Sequence, residues 1–138
     1  MSVYHWSAVQ EEGLPPLDSI HREFVELFNA LVQASDGEFI ARLLELINHT
    51  VAHFDTEYRW MEQTGFPPIT IHKCEHDRAL QMLHDVRHRA ETGDIPLGRR
   101  MVEQVPAWFE YHAATLDSAL ASYLRNVGFD PPGRAAPA

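Results

Sequence analysis

Hydrophobic residues along this chain recur at the three- and four-residue intervals of an α-helix. Prolines and glycines divide this pattern into four segments of helix length, separated by loops of only a few residues. The stripe of the first segment comprises Leu17, Ile20, Phe24, Leu27, Phe28 and Leu31. No segment sustains the period-two alternation of a β-strand. The pattern predicts an all-α fold, and the short connections favour an antiparallel up-and-down four-helix bundle.

Local signals refine the limits of these helices. Ser35 and Glu38 have the spacing of a capping box at the start of the second helix. Pro106 lies inside the apolar stripe of the fourth, so we expect that helix to kink or restart there. The bundle is predicted to occupy residues 1–127, as one domain. Residues 128–138 are rich in Pro, Gly and Ala and are predicted to form a disordered tail.

Composition narrows the range of partners. The 138 residues include 11 Lys and Arg against 20 Asp and Glu, which gives a formal net charge of −9. Lys73 is the only lysine, so the basic patch that nucleic acid or an anionic membrane requires is missing. No apolar run reaches the length of a membrane span or a signal peptide. We therefore expect a cytoplasmic protein that binds neither nucleic acid nor membrane.

Histidine is the one residue type in excess, with nine copies. His53 and Glu57 are four residues apart, and so are His72 and His76. Residues at this spacing lie on one face of a helix, about 6 Å apart, which is close enough to hold one metal ion or flank two. Both pairs fall on the face that points into the predicted bundle.

His21 and His112 hold equivalent inward positions on the first and fourth helices. A buried imidazole or carboxylate without a partner is costly. A single inward histidine is more often a hydrogen-bonded core residue than a metal ligand, so no set is persuasive alone. Here each of four successive helices has inward-facing His or Glu residues at positions where an ordinary core has Leu or Ile. Together these residues predict a metal centre on the bundle axis.

The other histidines do not share this placement. His84 and His88 are rotated around the third helix from His76 by about 80° and 120°, so we expect them to be solvated. His49 lies one turn before His53 at the edge of the apolar stripe and is the alternative ligand. A further histidine precedes the first helix.

In this order and spacing, the four sets resemble the ligand pattern of the hemerythrins, and among these the single-domain bacterial members. The resemblance extends from Trp6 to Leu124. The motifs that carry it are Leu-Asp-Ser-Ile-His21, His53-Phe-Asp-Thr-Glu57, His72-Lys-Cys-Glu-His76 and His112-Ala-Ala-Thr-Leu-Asp117.

The resemblance implies a non-haem centre of two iron ions bridged by an oxide or hydroxide. The ligands that it implies are His72, His76 and His112 on a saturated iron, His21 and His53 on an iron with one open position, and Glu57 and Asp117 as bridges. Five imidazoles, two bridging carboxylates and one bridging oxygen leave one of twelve coordination positions free, in keeping with this assignment. Ferritin-like di-iron enzymes instead use Glu-x-x-His pairs, which this chain lacks.

The wall of the ligand pocket departs from the family pattern. By position, Trp108, Phe109 and Ala113 are predicted to line a dry pocket at the open iron. Many hemerythrins have Leu after the Trp and Ile after the ligand His, where this chain has Phe109 and Ala113. Because these two residues are four apart, the larger side chain can partly offset the smaller one.

The function implied is reversible binding of dioxygen, or another small ligand, for storage, delivery or sensing; it is not an enzymatic one. The alternative is a di-iron enzyme with fast autoxidation, a peroxidase, oxidase or nitric oxide reductase. Glu110 and Tyr111 are the nearest acid–base candidates, and a solvated position is expected for both. A structural zinc site is a third class, but closed zinc sites need only four ligands. The sequence identifies no protein partner.

One spacing has two explanations. His112 and Asp117 are five residues apart, about 140° on a regular helix, so both cannot point straight at one centre. Either their side chains converge from opposite flanks, or a π-bulge widens the turn. An Asp117 turned to solvent would contradict its role as a bridge.

Overall fold

Helices form most of the chain in the computed structural model, which describes residues 3–7 and 10–132. The first three helices of the bundle are α1 (Pro15–Gln33), α2 (Asp36–Thr64) and α3 (Ile69–Glu91). The fourth consists of α4 (Ile95–Val102), α5 (Val105–His112), a π-helical turn (Ala113–Asp117) and α6 (Ser118–Asn126). The predicted all-α four-helix bundle is confirmed. Of the predicted tail, residues 133–138 lie outside the described residues, and its disorder stays a prediction.

Short connections join successive helices, and two of them depend on glycine. Gly65 ends α2 with φ 65°, and Gly93 follows α3 with φ 98°. This left-handed region is open to glycine without steric cost. At the other end of α2, Ser35 Oγ donates to the Glu38 carboxylate at 3.3 Å but accepts no hydrogen bond from a backbone N–H. The predicted capping box is therefore incomplete.

The fourth helix restarts where Pro106 was expected to interrupt it. Glu103 and Gln104 keep right-handed helical angles, but their N–H groups bond three residues back, to the carbonyls of Arg100 and Met101 at 3.2 Å. Pro106 lies in the first turn of α5, where its missing N–H breaks no helical hydrogen bond. The tight turn thus accommodates the proline without opening the bundle.

The core divides into two apolar clusters separated by a polar layer. The first cluster includes Phe24, Phe28, Leu31, Phe39, Leu43, Leu46, Leu83, Val86 and Phe109. The second includes Leu14, Leu17, Ile20, Trp60, Met61, Phe66, Leu120 and Leu124. The buried polar residues are Asp18, His21, Thr50, His53, Glu57, His72, His76, His112 and Asp117. Along each helix, the buried histidines occur between residues of the two clusters, so the polar layer crosses the middle of the bundle.

An N-terminal arm, residues 3–7 and 10–14, is tied to the bundle at both ends. The backbone N–H of Tyr4 donates to Asn29 Oδ1 at 2.7 Å, and Asn29 Nδ2 donates to the Tyr4 carbonyl at 2.8 Å. The N–H of Glu12 donates to Asp18 Oδ1 at 2.6 Å, and Arg125 Nη1 donates to the Glu12 carbonyl at 2.6 Å. The described residues between these ties, 5–7 and 10–11, are therefore held close to the bundle.

None of the described helices combines the length and apolar character needed to cross a membrane.

Arg99 links the fourth helix to the α1–α2 connection, and its removal should weaken the fold. Its Nη2 donates to the Ala34 carbonyl at 2.7 Å and to Asp36 Oδ1 at 2.8 Å, and its guanidinium lies 4.9 Å from the centre of the Phe39 ring. We expect Arg99→Ala to lower the free energy of unfolding by about 1–2 kcal/mol in urea denaturation. Exposed Arg100→Ala should change it by less than about 0.5 kcal/mol. Equal effects would contradict this role.

Candidate metal centre

The seven predicted ligands come together in the polar layer, and every helix of the bundle contributes. The contributors are His21 from α1, His53 and Glu57 from α2, His72 and His76 from α3, His112 from α5 and Asp117 from the π-helical turn. None is more than 5% exposed. The helical spacing of each pair therefore directs its side chains inward, as the sequence predicted.

Three of the imidazoles form one group. The ring centres of His72 and His76 are 4.5 Å apart, and those of His72 and His112 are 5.1 Å apart. His76 Nε2 lies 3.1 Å from His112 Nε2. One ligand atom from each of these three, together with one oxygen each from Glu57 and Asp117, all lie within 4.8 Å of one another. This group could hold one metal ion.

Two imidazoles form a second group beside the first. The ring centres of His21 and His53 are 5.5 Å apart. A nitrogen from each and an oxygen of Glu57 also lie within 4.8 Å of one another. The structure thus divides the five histidines three to two, the division that the resemblance implied.

Each carboxylate extends between the two groups. One oxygen of Glu57 contacts His53 Nε2, and the other lies 3.2 Å from His72 Nε2. Asp117 Oδ2 lies 2.9 Å from His21 Nε2, while its Oδ1 lies 3.1 Å from His72 Nε2. Two carboxylates with one oxygen on each side have the arrangement that bridging of two metal ions requires.

The π-helical turn decides between the two explanations for the five-residue spacing. It spans Ala113–Asp117, directly after His112. A π-turn is wider than an α-turn, so it brings residues five apart onto one face. Asp117 is fully buried, with Oδ1 3.2 Å from His112 Nε2. The widened turn, rather than convergence from opposite flanks of a regular helix, places both side chains in the centre.

Both buried carboxylates are held in their charged form by the histidines. Burial and the charge of Asp117 raise the pKa of Glu57, but His53 and His72 outweigh them and hold it below its usual value. Burial also raises the pKa of Asp117, whereas His112 and other histidines lower it well below its usual value. Anionic oxygens are the form that binds a metal ion.

The pKa values of His72 and His76 are shifted in opposite directions. Burial lowers the pKa of His72, but contacts with Asp117 and Glu57 raise it to about 9. For His76, burial is the main cause, and the pKa falls to about 3. To hold a metal ion, His72 would have to lose its proton, whereas burial already keeps His76 neutral.

The donor set fits metal ions better than a network of hydrogen bonds. In the described part of the chain, the buried polar atoms with no hydrogen-bond partner include ring nitrogens of His21, His53, His72 and His112 and the carboxylate oxygens of Glu57 and Asp117. Their contacts are short but lack hydrogen-bond geometry. Imidazole and carboxylate together suit iron and other first-row transition metals. Seven such donors exceed the four of a closed zinc site and fit a pair of ions.

The three predicted pocket residues separate in the structure. Phe109 is buried beside the two-histidine group, with its ring centre 5.2 Å from that of His21. Trp108 stacks on His112 at 4.8 Å, so it lies beside the three-histidine group. Ala113 is buried and borders a cleft of about 540 Å³. Their role as walls of a ligand pocket stays a prediction; of the two aromatic residues, Phe109 is the one beside the predicted open end.

Two neighbours of the centre were missed from the sequence. The Trp6 ring lies 5.8 Å from that of His21, and Phe54 stacks on His76 with ring centres 3.7 Å apart. Phe54 occupies an inward position next to His53, so helical spacing could have indicated it. Trp6 belongs to the non-helical arm, where no periodicity indicates which side chains turn inward.

A third neighbour is Glu12, also in the arm. Burial, and then the negative charge of Asp117, raise the pKa of Glu12 to about 7. Glu12 borders the same cleft as Ala113. Glu12 is far along the chain from Glu57 and Asp117, so no sequence motif connects it with the centre.

The histidines predicted to lie outside the centre do so. His84 and His88 are exposed. His49 is only partly buried, and its Nε2 lies 3.3 Å from the Ile20 carbonyl oxygen. It is not among the residues whose ligand atoms cluster.

Comparisons with known proteins agree with this geometry. Residues 13–124 match the model of the hemerythrin HHE cation binding domain. The bacteriohemerythrin of Ralstonia nicotianae is 39% identical over 94% of this chain and 95% of its own length, and that of Pseudomonas paraeruginosa is 26% identical over 88% and 81%. A solved wild-type hemerythrin shares the fold with a TM-score of 0.80 at 22% identity, over 89% of this chain and 98% of its own. The chain therefore belongs to the hemerythrin family.

Proposed function

We propose that this protein binds dioxygen reversibly at a di-iron centre formed by the seven clustered side chains. The observation that carries the proposal is the unequal division of the donors, with three imidazoles on one side, two on the other and two carboxylates between them. His72, His76 and His112 would hold one iron, His21 and His53 would hold the other, and Glu57 and Asp117 would contribute an oxygen to each. The side with fewer imidazoles, that of His21 and His53, would leave room for a small ligand.

Two ferrous ions held by these side chains would supply the two electrons that bind dioxygen. The protein's part is to fix both ions at one separation and to keep water away from the open side. Phe109 stacks on Phe24 at 4.7 Å and meets His21 edge to face, so apolar rings cover this side. Two carboxylates, against four in ferritin-like enzymes, stabilise the ferric state less and favour release over oxidation of a substrate.

The surroundings favour a binding protein for storage, delivery or sensing over an enzyme. An enzyme of the alternative class needs an acid or base near the bound ligand. The two acid–base candidates predicted from the sequence, Glu110 and Tyr111, are both exposed, Tyr111 by 70%. The family match and the relatives named bacteriohemerythrin support the same choice.

Oxygen cycling tests the proposal. We expect protein purified without oxygen to contain two iron ions per chain. Its visible spectrum should change when dioxygen is added and return when dioxygen is removed under vacuum, through repeated cycles, because the open position binds and releases the ligand without net oxidation. Iron analysis and absorption spectroscopy make both measurements.

Two results would contradict it. Rapid conversion to a stable diferric spectrum, without return under vacuum, would instead favour the redox enzyme. Zinc or no metal in a folded protein would reject both functions.

A further inference from the structure

One buried polar atom outside the predicted ligands has no hydrogen-bond partner among the described residues. It is Nε1 of Trp6, and every other side-chain atom in that class belongs to a histidine or carboxylate of the centre. An indole N–H can only donate, and enclosing it without an acceptor costs free energy. Bound metal ions would pair with one nitrogen of each imidazole and with the carboxylate oxygens, but they could not accept a hydrogen bond from Trp6. The Nδ1 atoms of His21, His53, His72 and His112 are unpaired as well.

Trp6 lies at the two-histidine end of the centre. Its ring is 5.8 Å from that of His21 and 6.0 Å from that of Phe109. The nearby aromatic side chains Phe24 and Phe109 contain no polar atom. The other tryptophan close to the centre, Trp108, stacks on His112 at the opposite end. Trp6 thus lies on the side where His21 and His53 would hold an iron with room for a small ligand.

The arm holds Trp6 in this place. Two residues earlier, Tyr4 exchanges a pair of backbone hydrogen bonds with the Asn29 side chain. Gln10 donates a further hydrogen bond to the Tyr4 hydroxyl. A donor fixed in advance loses little entropy when its acceptor arrives, which is the condition for a strong contribution to binding.

We propose that the Trp6 indole N–H donates a hydrogen bond to the small ligand bound at the open position, an inference that rests on the proposed function. The ligand class is a diatomic or triatomic molecule with an electron-rich terminal atom, of which dioxygen and azide are examples. The ligand supplies the acceptor that Trp6 lacks. Trp6 is therefore a specificity-determining residue, because it favours ligands that accept a hydrogen bond over those that cannot.

Azide bound to the diferric protein provides the test. We expect the infrared antisymmetric stretch of bound azide to differ between H₂O and D₂O, since the indole hydrogen exchanges. In Trp6→Phe this solvent isotope shift should disappear and the Kd for azide should rise roughly tenfold, the effect of losing one hydrogen bond to an anion. Trp60→Phe is the matched control: Trp60 is buried in the second cluster, and its removal should leave both quantities unchanged.

The possible results of this experiment distinguish the role of Trp6 from the proposed function. A wild-type azide band without an isotope shift, or a shift and affinity that persist in Trp6→Phe, would overturn the inference while leaving the proposed function intact. A protein that takes up no iron would reject both. If Trp6→Phe does not fold, Asn29→Ala provides a second test, because it keeps the indole but removes the anchor of the arm. The isotope shift should then weaken. An unchanged shift in Asn29→Ala would count against the donor role of Trp6.

Discussion

Replacing Glu57 by Gln should reduce the iron content from two ions per chain to less than one. Glu57 is the residue whose oxygens belong to both groups of donors, one beside His53 and the other beside His72. Gln has the same shape but no charge, so it cannot bridge two cations as a carboxylate does. Iron analysis after anaerobic reconstitution measures the effect, and the rise in melting temperature on adding iron should shrink with it, because metal binding stabilises the folded state.

Glu62→Gln is the matched control for this change. Glu62 lies on the same helix, five residues later, and is exposed. We expect it to keep both iron ions and the full thermal response. Two iron ions retained by Glu57→Gln would show that Glu57 is not a bridge, even if the rest of the centre stands.

Phe109→Ala should both destabilise the protein and shorten the life of its oxygenated form. Phe109 is almost fully buried between Phe24, Trp6 and His21, so its removal leaves a cavity at the edge of the centre. Loss of a buried Phe typically costs about 3–5 kcal/mol of unfolding free energy. Water that enters the cavity reaches the open position, and we expect autoxidation to accelerate at least about tenfold. Urea denaturation and the decay of the oxygenated spectrum give the two values.

Phe28→Ala separates these two effects. Phe28 is fully buried in the same apolar cluster, but no histidine ring of the centre contacts it. It should lower the unfolding free energy by a similar amount, about 3–5 kcal/mol, without a matching increase in autoxidation rate. Equal autoxidation in the two variants would mean that stability, and not the cover over the centre, controls the lifetime. Phe109→Leu, which restores the residue common in the family, should cost less than about 1.5 kcal/mol.

Helical periodicity explains why so much of the centre was predictable. A residue four positions from another on a helix lies on the same face, wherever that helix sits in the fold. Spacing therefore placed His53 with Glu57, and His72 with His76, on one face each, and the apolar residues on the same faces assigned both pairs to the interior. His21 and His112 needed only the position of the apolar stripe on their own helices.

The same rule failed where the backbone leaves the regular helix. The spacing of His112 and Asp117 allowed two geometries, because an α-turn and a π-turn place a residue five positions away on different faces. The choice between the two turns depends on whether the Asp117 carboxylate points into the centre. The other three helices contribute the rest of that centre. The observed π-turn at Ala113–Asp117 is thus a tertiary result.

The sequence also could not predict on which side of the centre each aromatic residue lies. Trp108 and Phe109 are neighbours in the chain, yet one stacks on His112 and the other meets His21. Successive residues on a helix differ by about 100°, and which neighbour each one contacts depends on how the helices are packed. The sequence could predict that both are core residues but not which metal site each covers.

By itself the sequence determined the all-α bundle, the restart at Pro106 and the set of candidate ligands, because these follow from local spacing and from the geometry of a single helix. The resemblance added the division of the histidines and the bridging carboxylates, whereas only the tertiary structure decided the π-turn at Ala113–Asp117 and the placement of Trp6 beside His21. These depend on distances between segments far apart in the chain, and residues 3–7, which include Trp6, have no regular backbone from which such distances could be inferred.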